Sequence, residues 1–225
     1  MNGKLYCVGV GSGDPALLTQ KAVRVLREAD VIACPVSGDG VMTALEVVKH
    51  ITSEKEILPC PMPMTHHQQE LNKCHEHAAS QISNLVQSGK IVAYITLGDP
   101  AIYSTYWYID RYLSSAGIIA EIVPGVPSFC AAAAAVGVSL CEGEEPLHIL
   151  PANYIAEKMP RGNKVLMKAG REMLAVRDKL LENGDITNAV LVSRCGMEGQ
   201  TIVRDISTLT DPPGYFSVVL IRGVE

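Results

Sequence analysis

The sequence predicts an α/β protein built as two lobes, each a sheet flanked by helices, and three observations carry that prediction. Through the first half, short β-rich apolar runs alternate with segments of helical periodicity, the pattern of parallel strands joined by helical crossovers. Three of the strand candidates run directly into glycine-containing turns. In the second half strand candidates crowd together around one strong helix, so the register changes near residues 114–120 and separates a lobe over 1–116 from one over 117–225. A chain of 225 residues is long enough to bury two cores.

The elements follow in order. "KLYCVGV" reads as a strand, and "PALLTQKAVRVLREAD" as a helix with an apolar stripe at 17, 18, 22, 23, 25, 26 and 29, opened by Pro15. "VIACP" is the second strand. A helix around 41–50 and a Pro-rich loop, "LPCPMPMT", lead into a long polar helix around 66–88 closed by Gly89. "KIVAYIT" is the third clear strand, followed by an aromatic helix, the strand "GIIAEIVPG" and the small-residue helix "VPSFCAAAAAVGV". The remaining strands are "LHILP", "NKVLMK", "NAVLVSR", "QTIVRD" and "YFSVVLIR", with the helix "GREMLAVRDKLLENG" among them.

Composition narrows the function classes. Hydrophobic residues at 48% and charged residues at 19% exclude a disordered or fibrous chain. No apolar run approaches the roughly 18 residues of a membrane span, and "MNGKLYCVGVG" lacks the features of a signal peptide, so a cytoplasmic protein is expected. Seven cysteines, odd in number and without a CxxC pair, read as reduced thiols. A formal charge of −5 gives no support for a nucleic-acid partner.

"VGVGSGDP", between a strand and a helix, raises the possibility of a dinucleotide-binding turn. Its G-x-G-x-G spacing is wrong for that fingerprint, and Asp30 precedes the second strand instead of ending it, so a nicotinamide or flavin site is disfavoured. What remains is a turn whose bare backbone admits a ligand or a second chain segment. "LGDP" at 97–100 and "VPGVPSF" at 123–129 are turns of the same kind at strand ends. Ligands of open α/β sheets collect there, so the three describe one crevice.

Together, "YCVGVGSGDPALLTQKAVRVLREADVIACP", "YITLGDPAIYSTYWYI" and "AEIVPGVPSFCAAAAAVGVSL" resemble the tetrapyrrole (corrin/porphyrin) methylases, over nearly the whole chain. Within them, "LGDPAIYSTY", "RCGMEGQTIVRDI" and "GYFSVVLIR" look like the C20-methyltransferases of cobalamin synthesis, which act on precorrin-2 or cobalt-factor II. The resemblance implies a homodimer with S-adenosyl-L-methionine held between two α/β lobes, largely on backbone contacts. It implies that Leu97, Gly98 and Asp99 run along the methionine part of the cofactor, with Ile102 beside its ribose or adenine. Pro127 and Ser128 match a cofactor-contacting pair, and Met167 and Cys195 fall on adenine-side positions. Ser12 is a further cofactor position, although it stands where the family often has proline, as Cys195 stands where it often has glycine.

A sulfonium methyl is already activated, so its transfer needs alignment more than a strong nucleophile, and proximity can contribute roughly 7–11 kcal/mol. The methylated carbon must also lose a proton, for which Asp99 and Tyr103 are the candidates, Asp99 having the alternative task of orienting its loop. Tyr103, Tyr106 and Trp107, at i, i+3 and i+4, are expected on one helix face. Tyr103 is the candidate for the site, and Trp107 and Tyr108 read as core or interface. Cations for the carboxylate rim of a tetrapyrrole are sought in Lys158, Arg161, Lys164, Lys168 and Arg171, and in Arg194. His66, His67, Cys74, His75 and His77 do not converge on one helix face, so no metal site is expected. The competing functions are methylation of metal-free precorrin-2 or of another ring carbon, methylation of a different substrate on the same fold, and a nucleotide-binding module without catalysis.

Overall fold

In the computed structural model, which describes residues 3–37, 40–63, 65, 67–156 and 160–223, the chain divides into two units, Met1–Pro127 and Ser128–Glu225. The first unit holds a parallel sheet of five strands: β1 (Lys4–Gly9), β2 (Val31–Val36), β3 (Glu56–Pro61), β4 (Ile91–Thr96) and β5 (Glu121–Val123), in the order β3-β2-β4-β1-β5. The period of two along these strands sorts their side chains into two cores. Leu5, Cys7, Val31, Ala33, Val92 and Tyr94 pack on one face with α3 (Gln68–Gln87) and α4 (Tyr106–Ser115). Tyr6, Val8, Ile32, Cys34, Ala93 and Ile95 pack on the other with α1 (Gln20–Glu28) and α2 (Thr43–Thr52). The chain therefore leaves β1 toward one face of the sheet and its neighbour β4 toward the other. Adjacent strands whose connections part in this way open a crevice at their C-terminal ends.

Four expectations are corrected. The strand Glu121–Val123 pairs with β1 in parallel, so the first unit runs to Pro127 and does not end at residue 116. The segment "LPCP" is no loop but most of β3, an edge strand, where the missing amides of Pro59 and Pro61 cost no ladder on the outer side. Pro15 starts only a 3-10 turn, Pro15–Leu17. The α-helix begins after Thr19, whose hydroxyl accepts from the Ala22 amide as an N-cap. Tyr103 lies outside α4, so it shares no helix face with Tyr106 and Trp107.

The second unit carries α5 (Ser128–Val136) and a mixed five-stranded sheet. Its strands are β6 (Leu147–Pro151), β7 (Asn163–Met167), β8 (Ala189–Ser193), β9 (Thr201–Val203) and β10 (Ser217–Ile221), ordered β6-β7-β10-β8-β9. β6 and β7 are parallel, and β10 runs antiparallel to both of its neighbours. Leu166, Leu191 and Val219 bury one face under Met173, Val176 and Leu180 of α6 (Met173–Asn183), which ends at left-handed Gly184. No described helix is long and apolar enough to cross a membrane.

Candidate functional site

Two stretches of identical sequence, Gly-Asp-Pro-Ala at 13–16 and at 98–101, make the same side-chain hydrogen bond. In each, the aspartate Oδ1 accepts from the amide two residues on: Ala16 to Asp14 at 2.8 Å, Ala101 to Asp99 at 2.7 Å. They sit after β1 and β4, the neighbours at the switch point, and the chain just before the first meets the second. Gly11 and Gly98 exchange backbone hydrogen bonds, Gly98 N to Gly11 O at 2.6 Å and Gly11 N to Gly98 O at 3.2 Å. Both glycines hold φ near +75°, a conformation that disfavours any side chain.

The third turn, after β5, closes against the other two. A Cβ on Gly125 would lie 2.2 Å from the Gly98 carbonyl oxygen, and one on Gly9 would lie 2.7 Å from both the Gly125 nitrogen and the Gly98 oxygen. Asp99 joins the turns with its second oxygen, Oδ2 accepting from the Gly125 amide at 2.9 Å. The floor is braced beneath by the buried Ser104 hydroxyl, which donates to Thr96 Oγ1 at 3.1 Å. The expected convergence of the three turns is thus present in backbone contact.

Ser12 follows Gly11 directly in the first of these turns. It is 3% exposed, and its Oγ is the one buried side-chain polar atom among the described residues without a hydrogen-bond partner. A buried hydroxyl left unpaired is costly, and such a group in a native fold calls for a partner from outside the chain. A polar cofactor that lies along bare backbone fits this set of residues.

The other predicted residues fall as follows. Leu97, Gly98, Asp99 and Ile102 lie together in the β4 turn, and the Ile102 amide donates to the Asp99 carbonyl. Tyr103 follows with φ +51° and 43% exposure, a left-handed conformation that is uncommon for a tyrosine. Pro127 ends the first unit. In the second unit Ser128 opens α5, Met167 ends β7, and Cys195 lies two residues beyond β8; these two strands flank β10, so Met167 and Cys195 share one sheet edge.

The aromatic helix divides between core and surface. Tyr106 is fully buried, with its hydroxyl on Asp110 Oδ1 at 2.7 Å, while Trp107 and Tyr108 are about half exposed. Trp107 Nε1 donates to the Pro100 carbonyl at 2.7 Å and so ties the helix to the turn. His75 points inward and stacks on Tyr108 at 5.2 Å, whereas His66 lies outside the described residues.

The cation-rich segment does not form one patch. Arg161 and Lys164 sit at the start of β7 and Lys168 just past its end, so a strand separates them. Lys164 is buried against Asp185 and the Gly162 carbonyl. Lys158 and the Arg171 side chain lie outside the described residues. Sequence reasoning missed Gly125 as the partner of Asp99, although "VPGVPSF" held the signal in a glycine beside a strand end.

The fold has two α/β units, with three glycine turns meeting at the switch point of the parallel sheet, and the comparisons name its family. The profile of the Tetrapyrrole (Corrin/Porphyrin) Methylases matches residues 4–210, and the chain belongs to that family. It is 37% identical over 223 residues to the probable cobalt-precorrin-2 C(20)-methyltransferase of Methanocaldococcus jannaschii, covering 97% of this chain and 96% of that one. It is 31% identical to the cobalt-precorrin-2 C(20)-methyltransferase of Salmonella typhimurium, covering 99% and 97%. Among solved structures, uroporphyrin-III C-methyl transferase from Thermus thermophilus, complexed with S-adenyl homocysteine, superposes with a TM-score of 0.70 at 19% identity over 98% of this chain and 97% of that one.

Proposed function

We propose that this chain transfers a methyl group from S-adenosyl-L-methionine to carbon 20 of cobalt-precorrin-2, as a step in the making of cobalamin. The observation that carries the reading is similarity along the whole length to two proteins named for that reaction, in the archaeon and in the enterobacterium. The donor, when bound, supplies a methyl already activated on sulfur. The chain's own residues supply placement. Leu97, Gly98 and Ile102 offer main chain to the donor, and the Gly11–Gly98 bridge sets the depth at which it rests. Pro127, Ser128, Met167 and Cys195 are its further contacts.

Asp99 acts here as a positioning residue. Both of its carboxylate oxygens already accept backbone amides, which suits bracing two turns better than taking a proton. Tyr103, on the same turn and half exposed, is the residue left to assist loss of the carbon-20 proton. The protein works as a homodimer in the cytoplasm, with no nucleic acid as partner.

The test is methyl transfer from radiolabelled S-adenosylmethionine to cobalt-containing and metal-free precorrin-2 side by side, with the product mass read for each. The reading requires one added methyl and faster turnover of the cobalt form. Equal or faster turnover of the metal-free form would reassign the substrate, and no transfer to either would overturn the reading.

A further inference from the structure

Three residues other than glycine hold a left-handed backbone among those described: Tyr103, Lys168 and Arg194. The first belongs to the turn already described. The other two are both cations, and each directly follows a strand, Lys168 after β7 and Arg194 after β8. These strands flank β10 and run parallel to each other, so the two cations stand at the same edge of the second sheet. Two strand spacings place their Cα atoms roughly 10 Å apart.

The chain between them is fixed. Arg194 N donates to the Phe216 carbonyl at 2.7 Å, and a Cβ on Gly170 would lie 3.4 Å from the Tyr215 Cα, so residues 214–216 pass between the two loops. Tyr215 is 55% exposed there, its ring edge-on to Phe216 at 5.2 Å. Among the described residues the Arg194 side chain is held by one bond, Nε to the Glu198 carbonyl at 2.8 Å, and its two terminal nitrogens are open to a ligand. A strained backbone persists only where its surroundings or its function hold it. Glycine would relieve both positions, yet the sequence places a long cation at each.

We infer that Lys168 and Arg194 are the substrate-specificity pair of this enzyme, each receiving a carboxylate arm of the tetrapyrrole on either side of Tyr215, whose exposed ring offers a flat apolar surface beside them. This inference rests on the proposed function for the identity of the substrate. It deepens that function by naming the groups that read the anionic rim. Arg161 and Lys164, at the other end of β7, take no part.

Lys168→Gly and Arg194→Gly are the test, because each removes a cation while relieving strain. The expected result is a urea midpoint equal to or above the wild type, a KM for cobalt-precorrin-2 raised at least tenfold, and a KM for S-adenosylmethionine changed less than twofold. Lys168→Arg and Arg194→Lys should recover most of the substrate KM. Uroporphyrin, which carries the same kind of carboxylate rim, serves as a probe independent of turnover, read by fluorescence quenching. Its Kd should rise at least tenfold in each glycine variant. Glycine variants that bind uroporphyrin as tightly as the wild type would overturn the inference, even if methylation proceeds. So would charge-conserving variants that lose as much as the glycine ones. A wild type that binds uroporphyrin through this pair but methylates no form of precorrin-2 would instead sink the proposed function alone.

Discussion

The Asp99 carboxylate and the Gly125 amide, 26 residues apart in sequence, meet at 2.9 Å and hold the turn after β4 against the turn after β5. The same carboxylate accepts from Ala101 at 2.7 Å, so one side chain sets both the shape of its own turn and the position of its neighbour. Asp99→Asn keeps the volume but leaves one acceptor and turns an NH2 group toward a backbone N–H. The expected loss of stability is about 1.5–3 kcal/mol, the range for a hydrogen bond to a charged group. The Kd for S-adenosylhomocysteine should rise about tenfold or more by calorimetry. On the positioning role proposed for Asp99, kcat at saturating substrates should fall less than about tenfold. A fall of 10²–10⁴ with donor affinity intact would make it the proton-transfer group.

Gly125 is a position in these turns where a single added methyl meets only backbone. Its Cβ would meet the Gly98 carbonyl oxygen at 2.2 Å and two Gly9 backbone atoms within 2.9 Å, and backbone cannot swing aside as a side chain does. Gly125→Ala should lower stability by about 3 kcal/mol, the upper end for overpacking. It should also weaken S-adenosylhomocysteine by more than Gly40→Ala or Gly214→Ala, where a Cβ meets nothing within 4 Å. Urea denaturation and calorimetry on the three variants rank the effects.

The sequence made most of this fold legible because its strands are apolar runs cut off by glycine turns, and neighbours in a parallel sheet place those turns side by side. β3 was hidden because three of its features argue against a strand: Pro59, Pro61 and little alternation. Only the knowledge that it lies at an edge makes them tolerable. Tyr103 was assigned to a helix because its spacing to Tyr106 and Trp107 is helical. Its left-handed φ, which the pattern cannot show, places it in the turn instead. The lobe boundary failed for a similar reason, since the three residues of β5 join the first sheet through pairing with Tyr6, Cys7 and Val8, a long-range fact. The Gly-Asp-Pro-Ala repeat was not picked out in the sequence, and which aspartate reaches across to Gly125 depends on strand order.

His75 gives the fold a pH dependence of its own. Burial, with the nearby Arg111 guanidinium adding to it, holds the imidazole below its ordinary value of 6.5, so the folded chain resists protonation there. The unfolded chain binds the proton first as pH falls. The contribution of His75 is therefore fully present above pH 6.5 and is lost as pH drops from that value through the lower folded-state one. Denaturation of wild type and His75→Gln from pH 8 to 5 should give curves whose difference bends below about 6.5, the wild type losing more. Parallel curves across that range would show that the buried imidazole carries no such linkage.

Ser12 separates what a residue does for the fold from what it does for the ligand. Its Oγ is buried with nothing to bond, so in the ligand-free protein the hydroxyl is a burden, and Ser12→Ala should raise stability by about 1 kcal/mol. On the proposed function, a bound donor gives the same hydroxyl a partner. The variant should then bind S-adenosylhomocysteine about five- to tenfold more weakly, the equivalent of one ordinary hydrogen bond. A thermal melt without ligand and a calorimetric titration with it read the two effects in opposite directions. A residue that merely packs would move both the same way, and a hydroxyl satisfied by bound water would leave the affinity unchanged. Only a group kept unpaired for the ligand lowers stability when no donor is bound and raises affinity when one is.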